Sequence, residues 1–206
     1  MEINPSDWPH QSIYKLMTGS IQPRPIGWVS SVDAEGRPNL APFSFFNMVC
    51  PKPPTLLFCP SVRGTDISQK DTLHNVRATS EFVVNIVSEA TAEAMNQTSA
   101  EVRPEVDEFT LAGLTPVPSL VVRPPRVAES LVHFECRVTQ IIEISDQPGG
   151  GSIVIGEVLH IHVNDSVLVG GDKIDPDRLK AVGRMAGTSY TRTTDRFDMI
   201  RPPSDL

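Results

Sequence analysis

The chain has 206 residues, 18 Lys and Arg against 25 Asp and Glu for a formal net charge of −7, and 39% hydrophobic residues. That size and composition fit one soluble globular domain spanning residues 1–206, able to bury roughly 70% of its unfolded surface without disulfides or a structural metal. The acidic balance excludes a general nucleic-acid partner, which needs positive surface to displace counterions from phosphates.

Apolar runs such as Thr55–Cys59 fall far short of the roughly 20 residues of a spanning helix, so no membrane partner is expected. Met1-Glu2-Ile3-Asn4-Pro5 carries an acid and a proline where a secretory signal starts basic and turns apolar, so a cytoplasmic location is expected. Cys50, Cys59 and Cys136 are odd in number and lack close pair spacing, which suggests buried small side chains and neither a disulfide framework nor a zinc ribbon. The 19 prolines are about twice the usual share and come in small sets such as Pro23 and Pro25 or Pro51, Pro53 and Pro54. Such sets punctuate short strands, so a β-rich chain is expected.

In chain order, a short helix is predicted over Ile13–Thr18, then a strand over Ile26–Val32. The polar turn Asp33-Ala34-Glu35-Gly36 and the segment Pro38–Ala41 complete a hairpin. Further strands are predicted over Ser44–Val49, Thr55–Cys59 and Phe82–Val87, with helices over Asp71–Ala78 and Glu89–Asn96 capped by Asp71 and Ser88. Residues 100–125 read as an irregular excursion. Two long strands, Leu131–Ile144 and Ser152–Val163, flank Gln147-Pro148-Gly149-Gly150-Gly151 and should pair as an extended hairpin. A last short helix over Asp175–Ala181 opens with an Asp cap and a proline. About seven strands with few short helices indicate an antiparallel barrel or sandwich.

Three stretches could carry chemistry. Pro23 and Pro25 fix the backbone around Arg24, restricting the direction in which its guanidinium leaves the strand entrance, as an anion or ring-edge contact would require. In Leu40-Ala41-Pro42-Phe43-Ser44-Phe45-Phe46-Asn47, strand alternation sends Phe43 and Phe45 one way and Ser44 and Phe46 the other. That mixture of rings, a hydroxyl and an amide suits a flat heteroaromatic ligand, although for the segment taken alone an aromatic-rich core strand is the simpler explanation. Ser61, Arg63, Lys70 and Thr72 gather donors and charge about the head of a helix starting at Asp71, a candidate phosphate cradle in which Asp71 serves only as cap.

Other features read as structural. His160 and His162 share a strand face but have no third ligand at useful spacing, and Glu101, Glu105, Asp107 and Glu108 read as a solvated face. Cys50 and Cys59 sit among prolines and apolar residues with no adjacent base. Gly149–Gly151 and Gly170-Gly171 read as turns, and no Walker A, nucleophile-elbow or dinucleotide fingerprint is present.

Taken in order, Thr18–Ile26, Asn39–Asn47, Pro53–Thr55, Lys70–Asn75, Glu81–Asn85 and Gly183–Arg192 resemble the flavin reductase-like, FMN-binding split-barrel family that includes flavoredoxin. The resemblance implies a mainly β fold, an antiparallel Greek-key split β-barrel with a few short helices. It also implies a homodimer with FMN held at the subunit interface, FAD being the alternative flavin. Carried onto this chain, it places Arg24 near the flavin, Ser44, Phe45, Phe46 and Asn47 along its ring and ribityl chain, and Ser61, Lys70 and Thr72 at its phosphate. Tyr190 would cover the ring. The implied activity is flavin reduction by NAD(P)H, or passage of electrons through FMN to an acceptor such as a partner oxygenase; the alternative is an electron carrier without nicotinamide turnover. Short reductases of the family carry a late Gly-Asp-His, whereas this chain has Gly171-Asp172-Lys173.

Overall fold

The computed structural model describes residues 1–62 and 69–204. Its N-terminal half contains α1 (His10–Ser20), β1 (Gly27–Val32), β2 (Pro38–Phe43), β3 (Phe46–Pro51), β4 (Pro54–Phe58), α2 (Asp71–Thr79), β5 (Glu81–Ile86) and α3 (Ala92–Gln97). There follow α4 (Glu108–Leu111), β6 (Pro116–Val117), β7 (Arg126–Val127), β8 (Val132–Ser145), β9 (Gly151–Val163), β10 (Leu168–Val169), β11 (Lys173–Ile174), α5 (Pro176–Leu179), β12 (Val182–Arg184) and β13 (Tyr190–Arg192).

Seven strands form one antiparallel sheet in the order β2-β1-β5-β8-β9-β4-β3. The long hairpin β8–β9 is the spine, with Val132 opposite Val163 and Ser145 opposite Gly151. β2 and β3 lie at opposite edges of the sheet, yet only Ser44 and Phe45 join them. Three Cα–Cα steps span at most about 11 Å, so the sheet must curl until its edges nearly meet here. The two edges are not hydrogen-bonded to each other, and the barrel is split.

This closure corrects the predicted strand over Ser44–Val49. Pairing with β4 begins only at Phe46, opposite Phe58, because the chain must first cross between the edges. Strict alternation consequently fails: Phe43 is buried and Phe45 is 40% exposed.

β1 is buried on both faces. Val29 faces a core with Phe43, Phe58, Phe82 and Val76 of α2, while Trp28 faces a second core with Leu40, Met95 of α3, Phe109 of α4 and Val182. Ring contacts run from Phe43 to Phe58 (5.0 Å) and on to Phe82 (5.1 Å). The serines between them are satisfied internally, Ser31 Oγ accepting from Asn75 Nδ2 (3.0 Å) and Ser30 Oγ donating to Pro125 O (2.5 Å). Cys136 is buried in the first core, with Cys50 and Cys59 half-buried. Burial pushes the thiols of Cys59 and Cys136 up, away from nucleophilic use.

The caps divide. Ser88 forms a capping box with Thr91 ahead of α3, and Asp175 accepts from Asp177 N (2.9 Å) with Pro176 opening α5. At α2, however, Lys70 occupies the cap position without a side-chain cap bond, and Asp71 is already the first helical residue. The predicted role of Asp71 as cap is therefore incorrect.

Candidate functional site

β2 connects the expected site residues. Its Asn39, Ala41 and Phe43 line one side of a pocket of about 60 Å³ at the head of α2, opposite Lys70 and Thr72, and the strand then runs directly into Ser44 and Phe45. Thr72 is buried, and its Oγ1 accepts from Asn39 Nδ2 (2.9 Å), which leaves the hydroxyl proton for another acceptor. Lys70 Nζ lies 3.5 Å from Glu101 Oε1, across the pocket on the segment that forms the other wall.

Glu108 forms part of the same wall and is not on a solvated face. The residue is only 6% exposed, and its carboxyl accepts from Leu40 N (3.1 Å). Burial, with the nearby acids Asp71 and Asp107, holds it above the usual carboxylate range against the opposing effect of the Leu40 amide. Asp107 caps α4 through Phe109 N (3.0 Å).

At the far end of β2, Arg24 is buried and heavily engaged. Nη1 donates to the carbonyls of Thr18 (2.8 Å) and Ile21 (2.9 Å), Nη2 to Met185 O (3.0 Å) and Nε to Ser44 Oγ (3.4 Å). Thr18 and Ile21 lie where α1 ends and its carbonyls lack helical partners. The guanidinium also lies 5.9 Å from the Phe45 ring centroid. The arginine thus clamps α1, the C-terminal hairpin and the Ser44–Phe45 crossing together, and it positions this corner through contacts made within the chain.

Tyr190 belongs to the β12–β13 hairpin, which docks on Arg24 through paired backbone bonds with Arg184, 3.0 Å from Arg24 N and 2.8 Å to Arg24 O. The Arg184 guanidinium lies 4.5 Å over the Tyr190 ring, whose hydroxyl donates to Asn96 Oδ1 (3.1 Å). Tyr190 and Arg192 line a groove of about 560 Å³ against α3, beside the Arg192–Glu89 ion pair at 3.1 Å.

Three expected residues stand apart. Phe46 turns into the barrel against Gly27 and is half-buried in the core. Asn47 is exposed on β3 and accepts from the adjacent Met48 N (2.9 Å). Ser61 lines a separate crevice of about 10 Å³ with Gln69 and Leu73. Arg63 lies outside the described residues.

The sequence reading missed Asn39, Glu101 and Glu108. Alternation along β2 contained the signal for Asn39, since residues 39, 41 and 43 share a face; nothing local distinguishes Glu108 from a solvated acid. His162 also has a structural role: its Nε2 meets Glu135 Oε1 at 2.6 Å, and the buried Glu135 carboxylate accepts from Leu120 N (2.8 Å) and Val121 N (2.7 Å).

Among the described residues no helix is long and apolar enough to cross a membrane. Residues 19–171 match the model of the flavin reductase like domain. The chain belongs to this family. Nitrilotriacetate monooxygenase component B from Bacillus cereus is similar at 35% identity with a TM-score of 0.91, over 97% of this chain and 98% of that one. The 2-nitrobenzoate 2-nitroreductase of Pseudomonas fluorescens shares 31% identity with a TM-score of 0.88, over 100% of both chains. Flavoredoxin of Desulfovibrio vulgaris, at 22% identity and a TM-score of 0.74 over 87% of this chain and 91% of that one, shares the fold. Family membership carries with it a mainly β split barrel and a flavin-related oxidoreductase role.

Proposed function

We propose that the protein binds FMN non-covalently, with its phosphate in the pocket beside Lys70 and Thr72 and its ring along Ala41–Phe45, and uses it to move electrons from NAD(P)H to an acceptor. The observation that carries this reading is that pocket: an ammonium, a hydroxyl with an unassigned proton and an amide, grouped at a helix head. Its volume of about 60 Å³ is well below the 300–1,000 Å³ of a whole-ligand site, so it takes an end group. FMN ends in a phosphate, whereas in FAD the chain continues through a pyrophosphate to adenosine, which favours FMN.

Bound flavin would supply hydride acceptance at N5, leaving the chain to orient the reactants and exclude water. Arg24 fixes the Ser44–Phe45 crossing along which the ring would lie, and Tyr190, held by Arg184 and Asn96, borders the groove against α3. The second copy expected of a homodimer would cover exposed apolar residues of the β3 edge strand, Met48 and Val49, and of α1, Tyr14 and Met17. Monooxygenase component B among the neighbours makes an oxygenase a reasonable class of acceptor.

The test is the visible spectrum of purified protein with FMN, before and after anaerobic NADH or NADPH. Perturbed flavin bands that bleach on adding nucleotide are the expected result; unperturbed bands would overturn flavin binding. Perturbed bands that persist would favour the second reading, a flavin electron carrier with another donor, for which Lys173 in place of the histidine of Gly-Asp-His is the specific observation.

A further inference from the structure

Among the described residues Lys70 is the only cation lining the pocket at the head of α2, and it is already engaged. Its ammonium lies 3.5 Å from Glu101 Oε1, and the two side chains are equally shielded, each 29% exposed. Glu101 belongs to the segment Thr98–Val102, which forms the wall facing Lys70 and Thr72. A carboxylate therefore already takes one contact of the ammonium that lines this pocket.

The surrounding charges sharpen the conflict. Asp71 follows Lys70 directly, and Glu108 lines the same pocket with a carboxyl that burial holds towards neutrality. A phosphate dianion and the Glu101 carboxylate repel each other at contact range, and a partly shielded site screens that repulsion incompletely. One ammonium cannot serve both equally well.

We propose that Glu101 is an internal competitor for the phosphate: it holds Lys70 in the ligand-free protein, and the flavin phosphate binds by displacing it, which makes Glu101 the residue that tunes affinity for a phosphorylated flavin. The proposal rests on the reading of this pocket as the phosphate seat. Riboflavin, which lacks the phosphate, has no reason to displace Glu101.

The experiment titrates wild type, Glu101→Gln, Glu101→Ala and Lys70→Ala with FMN and with riboflavin, following quenching of flavin fluorescence at low and moderate salt. Both Glu101 variants should bind FMN about three- to tenfold more tightly at low salt, with a smaller gain at moderate salt, while riboflavin affinity stays within about twofold. Lys70→Ala should weaken FMN and leave riboflavin unchanged. If Lys70→Ala does not separate the two flavins, the phosphate-seat reading fails and the proposal fails with it. If Lys70→Ala separates them but neither Glu101 variant tightens FMN, the seat stands and the competitor is refuted. Equal tightening of FMN and riboflavin would also refute it, because Glu101 would then act through the wall and not through the phosphate.

Discussion

The ring of Phe46 lies directly on the backbone of Gly27, so close that a Cβ at residue 27 would stand 2.7 Å from Phe46 Cδ2. Gly27 opens β1 and Phe46 opens β3, immediately after the crossing that closes the barrel. The glycine is thus required by an approach between strands, and its φ plays no part in the requirement.

Gly27→Ala should therefore destabilise the fold by about 1–3 kcal/mol, the usual range for overpacking a filled core. Adding Phe46→Leu should cost less in the Gly27→Ala background than in wild type, because the smaller side chain makes room for the methyl group. Denaturant unfolding of the two single variants and the double variant measures the coupling; strict additivity would show that the contact is not what excludes alanine.

Arg24→Lys should be markedly destabilising although it keeps the charge. The guanidinium serves three carbonyls and the Ser44 hydroxyl from a planar fork, whereas an ammonium on a shorter reach satisfies fewer of them and leaves buried acceptors unpaired. A loss of about 2–4 kcal/mol is expected, or roughly 5–15 °C in Tm for a chain of this size. Thermal unfolding with limited proteolysis of the C-terminal hairpin checks it. A hairpin no more labile than in wild type would remove Arg24 from its role as clamp.

How much of this architecture is legible in the sequence depends on how local its causes are. The β8–β9 hairpin follows from alternation about a glycine-rich turn, and the Ser88 and Asp175 caps follow from residues within three positions of their partners. The crossing at Ser44–Phe45 cannot be read this way, because what breaks the alternation is the placement of β2 and β3 at opposite sheet edges. Glu108 is similar: its partner Leu40 lies 68 residues away, and only packing of α4 on β2 turns an ordinary surface acid into a buried one. Lys70 and Thr72 were legible as donors at a helix head, while Ser61, equally plausible from the sequence, falls into a different crevice.

Glu135 should make the fold acid-sensitive. Burial alone would raise its carboxyl, but the amides of Leu120 and Val121 and the His162 ring outweigh that and hold it below the usual range. A carboxyl depressed in the folded state contributes stability above its unfolded pKa, near 4.3, and that contribution is lost as pH falls through the folded value. Glu135→Gln keeps one accepting oxygen but sets an NH₂ group against an N–H donor, so it should cost about 1–3 kcal/mol at neutral pH and flatten the acid limb of the stability curve. Unfolding midpoints from pH 3 to 7 test both parts; an unchanged acid limb would assign the sensitivity to other carboxylates.

Glu108 should have the opposite pH dependence. Its carboxyl is raised by burial and then by Asp71 and Asp107, so the folded state binds the proton more tightly than the unfolded chain does. For a raised pKa the associated stability is fully present below the unfolded value and is lost as pH rises through the folded one. Glu108→Gln keeps an oxygen for the Leu40 amide while removing the titrating proton. The variant should accordingly be more stable than wild type at pH 8, with the difference shrinking towards pH 4. Denaturant unfolding of both proteins across that range decides it: a gap independent of pH would mean that the substitution alters packing alone. A gap that widens with pH would establish that the pocket wall carries a carboxyl resisting ionisation, which is also the state that least repels an anion beside Lys70.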